Sequence, residues 1–214
     1  MLPYEVWRYH TKWYEHMNFI EPNLSKYFDI LIWMKKKQEL EKIAQEIETC
    51  RECKENKEGV AVPGEGNPDA NIMFIGEAPG RKEAESGRPF IGRSGQLLRN
   101  AIRGIGLREE DAYITSPVKY LPLHKTPNEE DILHGMTHLS LQIEIINPKV
   151  IVLLGNTAAR GVLGILPKIT TNHGTFFEKN GKTYFFSYHP AAAIRFQKFK
   201  KVFDDDFQKL KKFV

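Results

Sequence analysis

Cysteine is scarce in this chain: two residues in 214, Cys50 and Cys53, in the run Cys-Arg-Glu-Cys. That spacing suits either a redox pair or half of a metal site. No thioredoxin-like pattern surrounds it, so redox catalysis is set aside. Long apolar runs are also missing, and nothing approaches the roughly 20 residues that a bilayer span needs. The first residues lack the apolar centre of a signal peptide, so a soluble, intracellular protein with no membrane partner is expected. No Gly-Lys-Ser/Thr follows a glycine-rich turn and no Gly-x-Gly-x-x-Gly occurs, which excludes a P-loop and a dinucleotide fingerprint. Internal repeats and low-complexity segments are absent. Charge of one sign is lacking too: the net value of +4 permits a polyanionic partner without demanding one. With 41% hydrophobic and 27% charged residues, the composition is that of a globular chain with one sizeable core.

What is present is organised around residues 71–100, NIMFIGEAPGRKEAESGRPFIGRSGQLLRN. Ile72-Met73-Phe74-Ile75 has the length and character of a strand buried on both faces. Gly76 ends it, Pro79 and Gly80 interrupt the chain, and polar loop is expected as far as Ser94. Leu97, Leu98, Ala101 and Ile102 then fall on one face of a helix. This order puts the loop at the carboxyl end of a parallel strand, where open α/β sheets bind ligands. The loop carries the carboxylates of Glu77, Glu83 and Glu85, glycines at 76, 80 and 87, and the ring of Phe90. Loop carboxylates are usually solvated and a loop Phe usually plugs the core, so function here rests on what else converges.

The remainder supplies the sheet. Residues 112–116, 150–154 and 184–187 read as further strands, and Asn180-Gly181 between apolar runs signals a hairpin. Asn128 with acids after it starts a helix whose apolar face is Ile132, Met136, Leu139, Ile143 and Ile146. A C-terminal helix presents Phe199, Phe203, Phe207, Leu210 and Val214, with lysines mostly elsewhere. Residues 36–48 form an amphipathic helix on Leu40, Ile43 and Ile47. Residues 1–35 hold all three tryptophans (7, 13 and 33) among six further aromatic residues. They read as an extension docked on the catalytic domain of 36–214, with a partner-binding or nucleic-acid-stacking role as the other reading.

Gly-Glu-Ala-Pro-Gly (76–80), Glu83, Gly-Arg-Pro-Phe-Ile-Gly (87–92) and Gly-Gln-Leu-Leu (95–98) resemble the first motif of the uracil-DNA glycosylase superfamily. Tyr188-His189-Pro190-Ala191-Ala192 is similar to its late His-Pro motif, and residues 147–155 to its third strand. The match is nearest to family 4, the thermostable iron–sulfur type, and runs from about Leu40 to Arg195. It implies a three-layer α/β/α sandwich around a four-stranded, mainly parallel sheet, and a monomer that excises uracil or another deaminated base from DNA. A weakly active member that binds DNA or a partner is the alternative.

The resemblance also implies roles. Glu77 would position water with Glu83 in support, since relatives with Gly-Gln-Asp-Pro carry an Asp where this chain has Ala78. His189 would donate to the base as charge develops, and Gly76, Ala78 and Phe90 would form the base pocket. Arg93, Ser94, Ile194 and Arg195 would contact DNA, the last two as a wedge. Two departures stand out. Ser116 occupies the position of an Asn that reads uracil, and a single rotating hydroxyl reads less than an amide. Cys50 and Cys53 match two cluster ligands, but Tyr120 and Gly135 stand where the other two thiolates belong, and a [4Fe–4S] cluster takes four. His124, His134 and His138 leave a mixed Cys/His zinc site open, while the expectation is no metal and no cofactor.

Overall fold

The structure is a computed structural model that describes residues 21–165 and 167–214, with side chains from 25 onward. The aromatic residues before position 21, Trp7 and Trp13 among them, lie outside the described residues.

Two helices, α1 (Glu21–Thr49) and α2 (Arg51–Lys54), lead into β1 (Lys57–Glu58), β2 (Glu65–Gly66) and β3 (Ile72–Ile75). Then come α3 (Arg81–Ser86), α4 (Arg93–Gly104), β4 (Tyr113–Thr115), β5 (Leu121–Pro122), α5 (Glu129–Ile146) and β6 (Val150–Leu154). Then follow α6 (Asn156–Leu163), α7 (Ile169–Asn172), β7 (Phe176–Lys179), β8 (Lys182–Ser187), α8 (Pro190–Arg195) and α9 (Gln197–Gln208), with a 3-10 turn at Lys209–Phe213 after it.

The main sheet runs β2-β4-β3-β6-β8-β7. Its middle is the expected parallel quartet: Phe74 pairs with Ile114 on one side and Val152 on the other, and Val152 with Phe185. Every residue of β3 and β6 is buried, which is why both read as unbroken apolar runs rather than alternating ones. The sheet is wider than four strands because an antiparallel strand closes each edge. One belongs to the hairpin at Asn180 and Gly181, both at positive φ as a two-residue turn requires. The other, β2, has no apolar pattern and pairs because Gly66 lies against β4; a Cβ there would fall 2.0 Å from Ala112 O.

Helices cover both faces. Asn128 and Asp131 form a reciprocal capping box at the start of α5. Phe203 and Phe207 of α9 are fully buried, with Phe207 stacked on Phe74 at 5.9 Å between ring centroids. The expected apolar face stops at Leu210, since Val214 is exposed. In α1, Leu40, Ile43 and Ile47 are buried, whereas Tyr27 and Phe28 stand exposed. The helix passes position 35/36 without a break. Trp33 donates to Asn67 Oδ1 at 3.2 Å, which ties this part of the helix to the loop before β3.

The stretch expected as loop up to Ser94 contains α3. Gly80 is its N-cap, where a Cβ would fall 2.7 Å from Glu83 Oε2; Glu83 and Ala84 turn inward, and Gly87 at φ 76° closes the helix. From β3 the chain steps to β4 on one side, then returns to β6 on the other. That reversal opens a crevice at the carboxyl ends of these strands.

Candidate active site

A cleft of about 650 Å³ occupies that end of the sheet. It is lined by Glu77, Ala78, Glu83, Phe90, Ser94, His189 and Arg195, so residues more than a hundred positions apart meet there. Arg81 and Phe196 also line it, as do Glu58, Leu121, Pro122, Leu123 and Lys125, the last held to Pro122 O through its amide. Glu58, Leu121 and Pro122 belong to a short ribbon in which β1 pairs antiparallel with β5, where the sequence showed only loop.

Gly76 does not line the cleft but sets its floor. A Cβ at this position would meet Phe90 Cζ at 2.5 Å and approach His189 Nε2 to 3.8 Å. The absence of a side chain therefore lets a ring and an imidazole converge on the end of β3. Their centroids lie 5.9 Å apart. Phe90 holds φ at 52°, a left-handed conformation that a bulky residue rarely adopts and that the surroundings must enforce.

Arg99 enforces it. Its Nε donates to Phe90 O at 2.9 Å and its Nη2 to Pro89 O at 2.8 Å, while Glu65 and Glu109 accept from the same guanidinium. Burial pushes the Glu65 carboxyl up, but hydrogen bonds from Arg88 and Arg99 outweigh it and leave the group below its ordinary range. Glu83 braces the next residues: Oε1 accepts from the amides of Ile91 at 2.8 Å and Gly92 at 2.7 Å. Its carboxylate thus fixes the entry to α4 as well as facing the cleft.

His189 is the N-cap of α8, and its Nδ1 accepts from the Ala191 amide at 3.2 Å. A ring nitrogen that accepts carries no proton, so the neutral imidazole holds its proton on Nε2, the atom near Gly76. Burial lowers the His189 pKa from its ordinary 6.5, and the Glu77 carboxylate offsets this only in part. Glu77 Oε2 accepts from Thr157 Oγ1 at 2.7 Å. Thr157 follows the Gly155 turn after β6, so the carboxylate is held across the strand boundary, its other oxygen without a hydrogen-bond partner among the described residues.

Other expected site residues lie elsewhere. Ser116 is buried outside the lining of the cleft, and its Oγ donates to Val118 O at 2.8 Å. Arg93 is exposed at the start of α4 and Ile194 is half-buried in α8, neither lining the cleft. Phe196 stands at the rim beside Arg195, whose guanidinium lies 5.4 Å from its ring centroid. Sequence reasoning missed Arg99, Thr157 and the buried Lys119. Lys119 Nζ donates to Pro63 O, Thr115 Oγ1 and Gln142 Oε1 at 2.8–3.0 Å, and burial pulls its pKa down to about 7. A charged residue inside a core shows no sequence pattern that could have revealed it.

The expectation of no metal or cofactor is corrected by a second cluster. The sulfurs of Cys50 and Cys53 and a ring nitrogen from each of His134 and His138 all lie within 4.8 Å of one another, a donor set that could hold a metal ion. The expectation failed because it looked for thiolates at Tyr120 and Gly135. Tyr120 is buried and donates to Ile47 O, while a Cβ at Gly135 would fall 2.1 Å from Pro117 O. The imidazoles come instead from one turn of α5, at i and i+4, which packs on α2. Burial and the Cys50 sulfur push the Cys53 thiol up to about 12, opposite to the depressed thiol of a redox pair.

Comparison with known proteins gives a consistent result. The family model of the Uracil DNA glycosylase superfamily matches residues 63–211. A Type-4 uracil-DNA glycosylase of Sulfurisphaera tokodaii is 39% identical over 186 residues, covering 80% of this chain and 83% of that protein. Its counterparts from Saccharolobus solfataricus and Archaeoglobus fulgidus are 41% identical over 183 residues and 37% over 186. Those alignments cover 80% and 81% of this chain, and 85% and 92% of the relatives. Among the described residues, no helix is long and apolar enough to cross a membrane.

Proposed function

This chain belongs to the uracil DNA glycosylase superfamily, and from that premise we propose that it is a DNA repair glycosylase that hydrolyses the bond between uracil and deoxyribose. One observation carries the proposal: Glu77, Phe90 and His189 meet in one cleft at the carboxyl ends of parallel strands. A binding module has no need of a carboxylate and a neutral histidine facing the same space.

In this reading the target nucleotide leaves the duplex, at a cost of a few kcal/mol of unstacking. Its base lies against Phe90, a contact worth about 1–3 kcal/mol. The C1′–N1 bond breaks and its electron pair departs with the base, spreading negative charge onto O2. Nε2–H of His189 donates there; one such donor contributes about 3–4 kcal/mol in the transition state. A low pKa suits this task, because the ring stays neutral while its Nδ1 is engaged by Ala191. Water held by the free oxygen of Glu77 attacks C1′, and its proton passes to the carboxylate and then to solvent or the departing base. The same negative charge steadies the cationic sugar. Thr157 and Glu83 are positioning residues.

Arg81, Lys125 and Arg195 line the same cleft as Glu77 and Glu83, which supports phosphate contacts beside the sugar chemistry. Arg195 and Phe196 together fit a wedge that fills the vacated stack. Residues 1–35 are read as an extension of the catalytic domain at 36–214. Lys125 is the one lysine lining the cleft among the described residues, and none lies within the motifs that carry Glu77, Phe90 and His189, which favours a glycosylase without strand cleavage.

The test is release of uracil from a uracil–guanine duplex, followed by alkali to reveal the abasic site. The wild-type chain should yield free uracil and strand breaks only after alkali. His189→Ala should lose about 10²–10³ in single-turnover rate. Full activity of that variant on every deaminated base would overturn the assignment of His189.

A further inference from the structure

We propose that Cys50, Cys53, His134 and His138 bind a single tetrahedral metal ion of the zinc class, which clips the α1–α2 corner to α5. The inference is independent of the catalytic reading.

Three observations converge on it. First, the spacing is that of donors sharing one ion. With Zn–S near 2.3 Å and Zn–N near 2.0–2.1 Å, ligand atoms at tetrahedral corners stand about 3.4–3.8 Å apart. His134 Nε2 lies 3.2 Å from Cys50 Sγ and 3.3 Å from Cys53 Sγ, and the whole set falls within 4.8 Å. Second, Nε2 of His138 is buried with no hydrogen-bond partner among the described residues. Such a nitrogen is costly to leave unpaired in a protein interior, and a bound cation would satisfy it. Third, His134 Nδ1 is 2.8 Å from Glu52 Oε2. A carboxylate on the far nitrogen of a ligating imidazole fixes the ring and raises its basicity, and metal-bound histidines commonly have one.

The family resemblance implies an iron–sulfur cluster here, and the donor set does not match one built on four thiolates. Two sulfurs and two nitrogens do suit a Rieske-type two-iron centre in number. That arrangement puts the thiolates on one iron and the imidazoles on the other. Here one imidazole nitrogen sits close to both sulfurs, which interleaves S and N around a single centre. Two thiolates and two imidazoles with no carboxylate or water are a common closed structural set for zinc.

Placement gives the ion a task. Cys53 lies in α2, four residues before β1, whose Glu58 lines the cleft with Leu121 and Pro122 of β5. Lys57 of β1 also pairs with Asp131 of α5 at 2.5 Å, both side chains largely buried. The clip and the ion pair thus fasten the same ribbon to α5 from two sides.

The experiment is metal analysis of full-length protein purified without air, followed by exchange into Co2+. About one zinc per chain is expected, or uptake of about one Co2+ with intense tetrahedral d–d bands and thiolate-to-cobalt charge transfer. His138→Ala should weaken Co2+ binding by more than tenfold and change the d–d envelope. Should that variant fail to fold, Glu52→Gln keeps all four ligands and should still weaken binding by about 10–100-fold. Stoichiometric iron with acid-labile sulfide would overturn the proposal in favour of a cluster. A pale octahedral cobalt spectrum, or Co2+ affinity unchanged in both variants, would equally overturn it.

Discussion

Arg99 grips the backbone of Phe90: the guanidinium donates to Phe90 O at 2.9 Å while Phe90 is held at φ 52°. The contact is possible because Gly95 has no side chain; a Cβ there would fall 1.9 Å from the same carbonyl. A strained backbone of this kind stores about 1–3 kcal/mol and persists only where neighbours over-determine it. The ring that faces the cleft is thus aimed by a residue on the opposite side of its own loop.

Arg99→Met should therefore lower both stability and rate. Removing one partner of a buried ion pair costs about 3 kcal/mol, the low end because Glu65 is partly exposed. A misplacement of the ring by about 1 Å can cost on the order of a hundredfold in rate. Single-turnover excision beside thermal unfolding separates the two, and below its melting temperature the variant should still be slow. A folded Arg99→Met chain at wild-type rate would show that Phe90 needs no such support.

His189 should be neutral with its proton on Nε2 at pH 7, readable from imidazole ¹⁵N shifts. Its folded pKa lies below the ordinary 6.5, so the unfolded chain binds more protons as acid is added. The stability contribution of the neutral ring is complete above 6.5 and is lost as pH falls through the lower folded value. The acid limb of single-turnover excision should follow the same titration. Because the Glu77 carboxylate pulls the pKa up, Glu77→Gln should move it lower still. Titration at or above 6.5 in the wild-type chain would contradict the assigned tautomer and charge.

Thr157 holds Glu77 by one neutral-to-charged hydrogen bond of 2.7 Å. Such bonds contribute about 1.5–3 kcal/mol, so Thr157→Val should slow the chemical step by roughly ten- to a hundredfold. DNA binding should barely change, because Thr157 is a positioning residue. Arg195→Ala should do the reverse, weakening DNA binding and reducing the salt slope by about one. Fluorescence anisotropy across a salt series, set beside single-turnover rates, distinguishes these outcomes.

The parallel strands were legible because burial on both faces forces unbroken apolar runs, as in Ile72–Ile75 and Val150–Leu154. The cleft was legible as far as its motifs reached: Glu77, Phe90 and His189 belong to segments that punctuate strand ends. What escaped was nonlocal or unpatterned. Ribbon β1–β5 has two residues per strand, too short for any period. Arg99 looks like an ordinary polar position of α4, and only the fold turns its head under Phe90. His134 and His138 were visible as donors for a mixed Cys/His site, but the sequence does not show that one turn of α5 brings both rings to Cys50 and Cys53 while His124 stays out of the cluster.

Ser116 poses the sharpest remaining question. By resemblance, an Asn at this place reads the polar edge of uracil. Here Ser116 is 5% exposed and its hydroxyl is committed to Val118 O. It is nevertheless one residue beyond Thr115, whose carbonyl accepts from the Gly76 amide at the cleft floor. Ser116→Ala should leave uracil excision within a few-fold of wild type and cost about 0.5–1.5 kcal/mol of stability, the worth of one neutral hydrogen bond. Ser116→Asn adds an amide that can donate and accept in one fixed geometry. It should raise the ratio of uracil to hypoxanthine excision by several-fold to a hundredfold, the range that one satisfied polar edge supports. The two single-turnover rates on matched duplexes give that ratio directly. A large loss of uracil excision in Ser116→Ala would mean that the hydroxyl leaves Val118 to meet the base, and an unchanged ratio in Ser116→Asn would keep position 116 out of base recognition.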